Sequence, residues 1–374
     1  MGNEIVIFGA YHCHMAMFEG YLGGEGVWCM AMIDSFERQG FTVLHARDDW
    51  NYIYHLHRQI PDLIKIIIAG KEGPHGAAKQ YYKSANRPDG IPAWKHFHFS
   101  YFPTIGQSVV GDRWSVCAEP EYSRPDDVRN YSFIGYSLEP PASETPVIPF
   151  RQRPHRAYIL AKRVQYFYQY ANPMWEPSYF TRAAAELSAI WPDFEFVGGL
   201  VDDRSDKDRE TQGPMPVPEG VKNLGLLDAE RFDEEVGMSR LLVGLGWPTM
   251  SPSPYRALAR GVPFLNPHKM NPSSTKENRH SWRDTQHATL RMIDEPYVYH
   301  TEAFDYDAFL RDIKKAMETS IPPFRFPFHS REAFDKRIRD LILADWESEA
   351  EWILKERIAG HETQRNGEIG LFEM

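Results

Sequence analysis

The residues whose types and spacing most suggest chemistry lie in the segment 243–267, which reads VGLGWPTMSPSPYRALARGVPFLNP. Gly244 and Gly246 permit a tight turn and the close approach of a ligand. Ser251 and Pro254 then place a favoured capping residue and a proline at the start of a predicted helix. Free amides and the helix dipole at such a start attract an anion such as a diphosphate. The segment therefore indicates either a phosphate-binding turn or an ordinary capped helix.

A second glycine-rich stretch, residues 20–28 (GYLGGEGVW), follows the first apolar segment of the chain. Its one carboxylate, Glu25, stands in a predicted loop that leads from a strand into a helix. A carboxylate in such a loop can act as a general base toward a bound hydroxyl group. An acidic residue is also favoured near a helix N-terminus by the helix dipole. The sequence leaves both roles open for Glu25.

The elements that must position these segments follow an alternating strand and helix pattern. Short apolar runs predict strands, and amphipathic stretches between them predict helices, at residues 4–8, 27–38, 41–46, 50–59 and 64–69. This order predicts a parallel sheet, at whose carboxyl edge ligands bind. A second block of the same kind begins at residues 157–160 and contains a predicted strand at 241–245. Both glycine-rich stretches are therefore expected at the carboxyl edge of a parallel sheet.

The chain predicts an α/β protein of the GT-B type, with two Rossmann-like domains facing across a cleft. The boundary is expected in the segment 139–150, which contains four prolines and few core-forming residues. We assign residues 1–150 to a domain that supplies the acceptor site and a catalytic base, and 151–330 to a nucleotide-sugar-binding domain. A closing helix that packs back across the domains is predicted within 331–360, with Ser330 as its cap. Residues 361–374 are predicted to form a disordered tail.

The composition excludes several classes of partner. The formal net charge is −10 and no basic face is evident, so a nucleic acid is not an expected partner. No apolar run approaches the ~18 residues of a membrane span, and no signal sequence precedes the first strand. We expect a soluble chain without a membrane partner, and a cytoplasmic location more than a secretory one.

The cysteines and acidic residues give no sign of a structural bond or a metal. The three cysteines are Cys13, Cys29 and Cys117, an odd number without a recognisable spacing. They predict neither a disulfide framework nor a zinc site. No Asp-x-Asp motif stands at a strand end, where a metal-dependent enzyme often holds its cation. We therefore expect no metal and no cofactor.

Motifs in the same order along residues 18–345 resemble glycosyltransferase family 18, the N-acetylglucosaminyltransferase V family. The family's G-L-G-F-P, Pro-x-Pro and A-I-A-N-G-C-x-F-L-N-P elements are similar to residues 244–248, 252–254 and 257–267. Five further segments resemble family elements: YSFIGYSLE at 131–139, YILAK at 158–162, VKNLG at 221–225, TQH at 285–287 and PYVY at 296–299. The family's G-P-L-G-E-L-V-Q-W element is similar to residues 20–28, and its Glu matches Glu25.

The resemblance implies an inverting, metal-independent transfer of N-acetylglucosamine from UDP-GlcNAc to a hydroxyl group. The acceptor would be a glycan or a small molecule, and the nucleotide sugar would be a co-substrate. Glu25 is implied as the catalytic base. The residues implied at the nucleotide are Gly244, Gly246, Trp247, Pro248, Ser251, Ser253, Arg256, Lys162, Lys222 and Asn223. For Trp247 a core position and for the two lysines an ordinary surface position are the alternatives.

One position departs from the family pattern. The family has Glu in the nucleotide-site helix where this chain has Arg256. The arginine would either hold the diphosphate and stabilise the leaving group, or indicate a different nucleotide or an impaired site. Two other functions remain open, the first of them because of Arg256. One is a nucleotide-sugar-binding protein with impaired catalysis, and the other is a GT-B sugar-nucleotide epimerase.

Overall fold

The protein is described by a computed structural model, in which the chain forms two compact units. Unit 1 comprises Met1–Glu139 and Pro327–Met374, and unit 2 comprises Pro140–Phe326. The residues described are 4–21, 23–70, 78–102, 108–120, 131–139, 146–168, 173–361 and 371–374. The chain leaves unit 1 after Glu139, where the predicted linker begins, and half of that linker, 140–145, lies outside the described residues.

Unit 1 is built on a six-stranded parallel sheet in the order β2-β1-β3-β4-β5-β6. Its strands are β1 (Ile5–Gly9), β2 (Thr42–His45), β3 (Ile64–Ala69), β4 (His96–Ser100), β5 (Ser115–Cys117) and β6 (Ser132–Phe133). The central strands β1 and β3 are nearly continuous apolar runs because helices and loops cover both faces of a parallel sheet. The helices of this part are α1 (Tyr11–Phe18), α2 (Gly24–Arg38) and α3 (Trp50–Gln59).

Unit 2 contains a second parallel sheet. Six strands run in parallel in the order β13-β11-β10-β7-β8-β9, and β12 pairs antiparallel with the end of β11. The strands are β7 (Arg156–Leu160), β8 (Glu195–Gly198), β9 (Val221–Asn223), β10 (Leu241–Gly244), β11 (Phe264–Lys269), β12 (Asp284–Thr285) and β13 (Val298–Glu302). The helices are α4 (Pro177–Ser188), α5 (Asp206–Gln212), α6 (Ala229–Gly237), α7 (Ser253–Leu258) and α8 (Tyr306–Glu318). Aromatic rings of Phe180, Phe196 and Phe309 pack together in the core of this unit.

The chain returns to unit 1 through two helices, α9 (Arg331–Leu343) and α10 (Trp346–Ile358). The prediction of one long helix over 331–357 was wrong. Ala344 is extended (φ −65°, ψ 147°), and the Asp345 side chain then accepts a hydrogen bond from the Ser348 amide, so a second helix is capped there. The cap predicted at Ser330 is confirmed by its bond from the Ala333 amide. The predicted tail lies outside the described residues except for 361 and 371–374.

The longest helix among the described residues is α2, with 15 residues. Within the described part of the chain, no helix combines the length and the apolar character that crossing a membrane requires. The predicted α/β class, with two Rossmann-like sheets in tandem, is confirmed by the order and direction of the strands.

Candidate functional site

The glycine-rich turn of unit 2 begins where β10 ends, at the carboxyl edge of the sheet. Gly244 is opposite Leu160 of β7, so the turn and the chain that follows β7 leave the same edge. A Cβ atom on Gly244 would overlap the Gln286 side chain and stand 2.9 Å from the Leu265 carbonyl oxygen. Gly246 has a φ of +94°, a left-handed conformation that favours glycine. Both glycines are therefore required by the path of the turn.

The turn is held by a buried side chain, Gln286. Its Oε1 accepts a hydrogen bond from the Gly246 amide at 2.8 Å, and its Nε2 donates to the Pro248 carbonyl at 3.0 Å. The Gln286 carbonyl oxygen also accepts from the Met250 amide at 2.9 Å. Three bonds from one residue fix the segment between β10 and α7. Trp247, whose peptide bond to Pro248 is cis, remains 38% exposed beside it.

The serines of the turn lie at the start of α7, as the sequence indicates. The Ser251 hydroxyl donates to the Ser253 oxygen at 3.0 Å and accepts from the Ser253 amide at 3.3 Å. A ring nitrogen of His287 lies 3.1 Å from the Ser251 carbonyl oxygen. The helix begins at Ser253 and ends at Leu258, with Pro252 and not Ser251 at its cap position. Hydrogen bonds between Ser251 and Ser253 take the place of the helix cap that was expected at Ser251.

Arg256 has a partner that the sequence did not indicate. Its guanidinium forms an ion pair with Asp233 of α6, and Arg260 pairs with the same carboxylate at 2.9 Å. Asp233 and Arg260 are buried, and Arg256 is partly buried. The positive charge that replaces the family's Glu is therefore paired with a carboxylate inside unit 2.

The remaining candidate residues of unit 2, two lysines and an asparagine, lie in different parts of the unit. Lys162 is exposed and lies two residues beyond Leu160, at the same edge as the glycine-rich turn. Lys222 is exposed, and its ammonium lies 3.4 Å from Glu195, the first residue of β8, which is at the opposite edge. Asn223 uses its side chain to bond the backbone of Leu200 and Gly225. Lys162 thus lies at the same sheet edge as the turn, whereas Lys222 and Asn223 make structural contacts.

Glu25 lies in the first turn of α2 and not in a loop, which corrects the predicted helix start at residue 27. The helix begins earlier because Gly23 takes the cap position with an extended backbone (φ −75°, ψ 165°). A side chain on Gly23 would overlap the Tyr21 ring. The Tyr21 hydroxyl donates to Glu25 Oε2 at 3.1 Å. Glu25 is half-buried and is not the N-cap of the helix.

Cys13 and Cys29 form a disulfide bond, which corrects the prediction that the cysteines are unpaired. The bond joins α1 to α2, and Cys29 is one helical turn beyond Glu25. The two cysteines are 16 residues apart in sequence, with an irregular segment between the helices, so their spacing carried no signal. Cys117 is buried in β5 and keeps its thiol.

No group of three or more His, Cys, Asp or Glu side chains in the described part of the chain is arranged to hold a metal ion. That observation is confined to those residues, so metal independence stays a prediction. Gln286 and Asp233 are the functional neighbours that sequence reasoning missed. Gln286 was noticed only as part of a motif, and no spacing rule connects Asp233 to Arg256.

The chain has two Rossmann-like units with parallel sheets, and one of them has a glycine-rich turn at the carboxyl edge of its sheet. This domain composition is that of the GT-B class of nucleotide-sugar enzymes. The sequence model of glycosyltransferase family 18 matches residues 155–350, just over half of the 374 residues. The chain belongs to glycosyltransferase family 18. The match covers the glycine-rich turn, Gln286 and Arg256.

Curated relatives carry the name alpha-1,6-mannosylglycoprotein 6-beta-N-acetylglucosaminyltransferase. The B form of mouse is 31% identical over 124 residues, which cover 31% of this chain and 16% of the relative. The A form of rat is 23% identical over 236 residues, which cover 61% of this chain and 29% of the relative. The aligned part is thus less than a third of either relative's length.

A solved glycosyltransferase involved in avilamycin A biosynthesis is also similar in structure. It has 11% sequence identity and a TM-score of 0.48, and the alignment covers 96% of this chain and 99% of that one. A UDP-N-acetylglucosamine 2-epimerase from Rickettsia bellii has 10% identity and a TM-score of 0.48, with 92% and 96% covered. Likenesses this distant say nothing about substrate.

Proposed function

We propose that this chain transfers N-acetylglucosamine from UDP-GlcNAc to a sugar hydroxyl group, with inversion at the anomeric carbon. Family membership and the names of the relatives support the transferred sugar and the kind of reaction. The nucleotide sugar and the hydroxyl acceptor are the substrates, and no cofactor takes part. The acceptor of this chain is a glycan or a smaller hydroxyl compound.

The observation that carries the proposal is the braced turn from Gly244 to Ser253. Parallel α/β sheets bind nucleotides at the carboxyl edge, where this turn lies. Gln286 fixes the turn before a ligand arrives, so little ordering is needed on binding. Gly246 has no side chain to keep a diphosphate away from the backbone. The exposed Lys162 at the same edge supplies a positive charge for the leaving phosphate.

Glu25 is proposed as the general base. Its carboxylate would remove the proton from the acceptor hydroxyl as that oxygen forms a bond to the anomeric carbon. The bond from the anomeric carbon to the diphosphate breaks in the same step, and UDP leaves with the electron pair. One displacement of this kind inverts the configuration. The hydrogen bond from Tyr21 supports the role because it fixes the orientation of the carboxylate.

Arg256 motivated the alternative of a binding protein with impaired catalysis. Its ion pair with Asp233 gives the arginine a structural role within unit 2. No observation on the described residues now favours that alternative or the epimerase over the transferase.

The test is Glu25→Gln in the full chain, compared with Glu37→Gln. Glu37 is an exposed residue of the same helix, so it controls for the loss of one charge there. Removal of a general base lowers turnover by about 10²–10⁴-fold. We expect that loss in the first variant alone, measured as UDP release and product formation on a panel of glycan acceptors.

Donor affinity separates the base from a structural role. Calorimetry with UDP-GlcNAc should give the same dissociation constant for both variants and the parent chain. Turnover of Glu25→Gln at the parent rate would rule out Glu25 as the base. Absence of any transfer by the parent chain, together with intact donor binding, would favour the binding protein.

A further inference from the structure

A cleft of about 670 Å³ opens in unit 1. It lies at the amino ends of β3 and β4, since its wall includes Ile64, the first residue of β3, and Lys95, which directly precedes β4. Glu25, in contrast, follows the carboxyl end of β1. The two ends of a parallel sheet are opposite edges, so this cleft is separate from Glu25.

The cleft is rich in cationic side chains. Arg58 is paired with Asp89 at 2.9 Å, and that carboxylate also accepts a hydrogen bond from Tyr54. Lys65 and Lys83 line the cleft, and neither side-chain ammonium has a hydrogen bond or an ion pair among the described residues.

A third lysine completes this wall. Lys95 is buried there, and its Nζ donates to the Pro61 carbonyl at 2.8 Å, which leaves further donor capacity. Two carboxylates, Asp62 and Glu347, also line the cleft. The three lysines therefore leave a local positive excess in a chain whose net charge is −10.

Two buried side chains in the wall lack hydrogen-bond partners among the residues that the structure describes. His57, in the last turn of α3, is 4% exposed, and neither of its ring nitrogens has a partner. Trp94 is 8% exposed, and its indole nitrogen has no partner either. Burial lowers the pKa of His57 to about 4, so the ring is neutral near pH 7 and carries one N–H donor. Buried donors are ordinarily paired, so two unpaired ones beside a cleft indicate that a bound molecule supplies the acceptors.

We propose that this cleft binds a small molecule through an oxyanion group, a phosphate or a carboxylate. Lys65 and Lys83 supply half-buried charge, Lys95 supplies a buried donor, and His57 and Trp94 supply neutral donors. Oxyanions accept several such bonds at once, and bonds to a charged group are the strong ones. The volume is within the range of small-molecule sites in proteins. No part of the transfer mechanism is needed for this site.

The test is calorimetric titration of the full chain with inorganic phosphate and, separately, with citrate. The variant is Lys65→Gln with Lys83→Gln, and the control is Lys336→Gln with Lys355→Gln. The control lysines are exposed residues of α9 and α10 in the same unit, so both double variants change the net charge equally. Loss of a charge-assisted contact weakens binding by about tenfold or more. We expect that loss in the first double variant and parent-like affinity in the control.

The titration also identifies the group that is recognised. Tighter binding of phosphate indicates a phosphorylated ligand, and tighter binding of citrate indicates a carboxylate. An anion that binds at the glycine-rich turn of unit 2 would bind both double variants equally. Equal affinity for the parent and both variants would overturn the proposal, and so would the absence of binding by either anion.

A measurement on the parent chain keeps the proposal testable if the variant does not fold. Hydrogen–deuterium exchange should slow in peptides that cover residues 57–65 and 83–95 when the bound anion is added. Protection confined to peptides of unit 2 would contradict the proposal.

Discussion

Arg256 is the residue at which the chain departs from its family, and Asp233 explains how that arginine is tolerated. One buried carboxylate pairs with both Arg256 and Arg260. Burying a charge is costly unless it is paired, so each member of this group depends on the others. Arg256, which replaces the family's Glu, therefore has a carboxylate partner because α6 packs against α7. It does not by itself imply an altered nucleotide site.

Arg256→Gln is expected to reduce stability while leaving donor binding unchanged. Arg260 still neutralises Asp233, so the free energy of unfolding should fall by only about 1–2 kcal/mol. Asp233→Asn leaves two arginines without a counter-charge and should cost about 3–5 kcal/mol. Urea denaturation measures both, and calorimetry with UDP measures the affinity. A tenfold weaker affinity in a fully stable Arg256→Gln chain would show that this arginine holds the diphosphate.

The elements that carry the glycine-rich turn and Glu25 are fixed by contacts between segments distant in sequence. Gln286 follows β12, yet it holds the turn that follows β10. Cys13 of α1 is bonded to Cys29 of α2, which carries Glu25. In each case a loop or a helix end is held by one residue from a neighbouring element. These contacts determine how rigidly the proposed groups are held.

Gln286→Leu should loosen the glycine-rich turn. The substitution leaves the Gly246 amide and the Pro248 carbonyl without their side-chain partner. Each lost hydrogen bond costs about 0.5–1.5 kcal/mol, so donor affinity should fall by about tenfold. Gln286→Glu retains the acceptor for Gly246, but it sets a carboxylate oxygen against the Pro248 carbonyl and adds a negative charge near the diphosphate, so its affinity should fall at least as much. Dissociation constants for UDP-GlcNAc that match the parent in both variants would show that the turn does not hold the donor.

Reduction of the Cys13–Cys29 bond should destabilise unit 1. A disulfide that closes a loop of this length, with a sequence separation of 16, contributes about 3 kcal/mol by limiting the unfolded chain. We expect dithiothreitol to lower the melting temperature of the parent chain. A Cys13→Ala, Cys29→Ala chain should not respond to the reductant. Thiol titration of the unfolded, unreduced parent should find one reactive cysteine, and three would show that the bond is absent.

At the scale of the whole molecule, both units bury neutral histidines. Burial lowers the pKa of several imidazoles to about 4 or about 3, so these rings are uncharged in the folded chain near neutral pH. They are His57, His329, His268 and His300 at about 4, and His96 at about 3. In the unfolded chain the same rings titrate near 6.5. Below pH 6.5, folding therefore releases protons from these imidazole rings.

The sign of this linkage predicts acid sensitivity. Between pH 6.5 and about 4 the unfolded chain binds more protons than the folded chain, so stability decreases as the pH falls. Each such histidine contributes up to about 2 kcal/mol of loss at pH 5. We expect the melting temperature to be highest near pH 7 and to drop steeply by pH 5. His329→Gln should show a shallower dependence, and a flat profile between pH 7 and pH 5 in the parent would contradict the prediction.

The strands and most helices could be predicted from local patterns. Apolar runs such as IVIFG and IKIIIA form buried parallel strands because both faces of such a sheet are covered. The ends of elements were less predictable. Helix α2 begins at Gly24 since Gly23 accommodates the Tyr21 ring, and the predicted C-terminal helix divides because Asp345 caps a new one. Such boundaries depend on a single side-chain contact, which periodicity does not encode.

The sequence by itself determined the class of fold, the two glycine-rich stretches and the family, because strand and helix periodicity and local motifs are properties of neighbouring residues. Only the tertiary structure decided the partners: Cys29 for Cys13, Asp233 for Arg256, Gln286 for Gly246, and Glu195 for Lys222. These partners are 16 to 40 residues apart, and several belong to different elements. Their meeting is set by sheet order and helix packing, in which residues distant in sequence become neighbours.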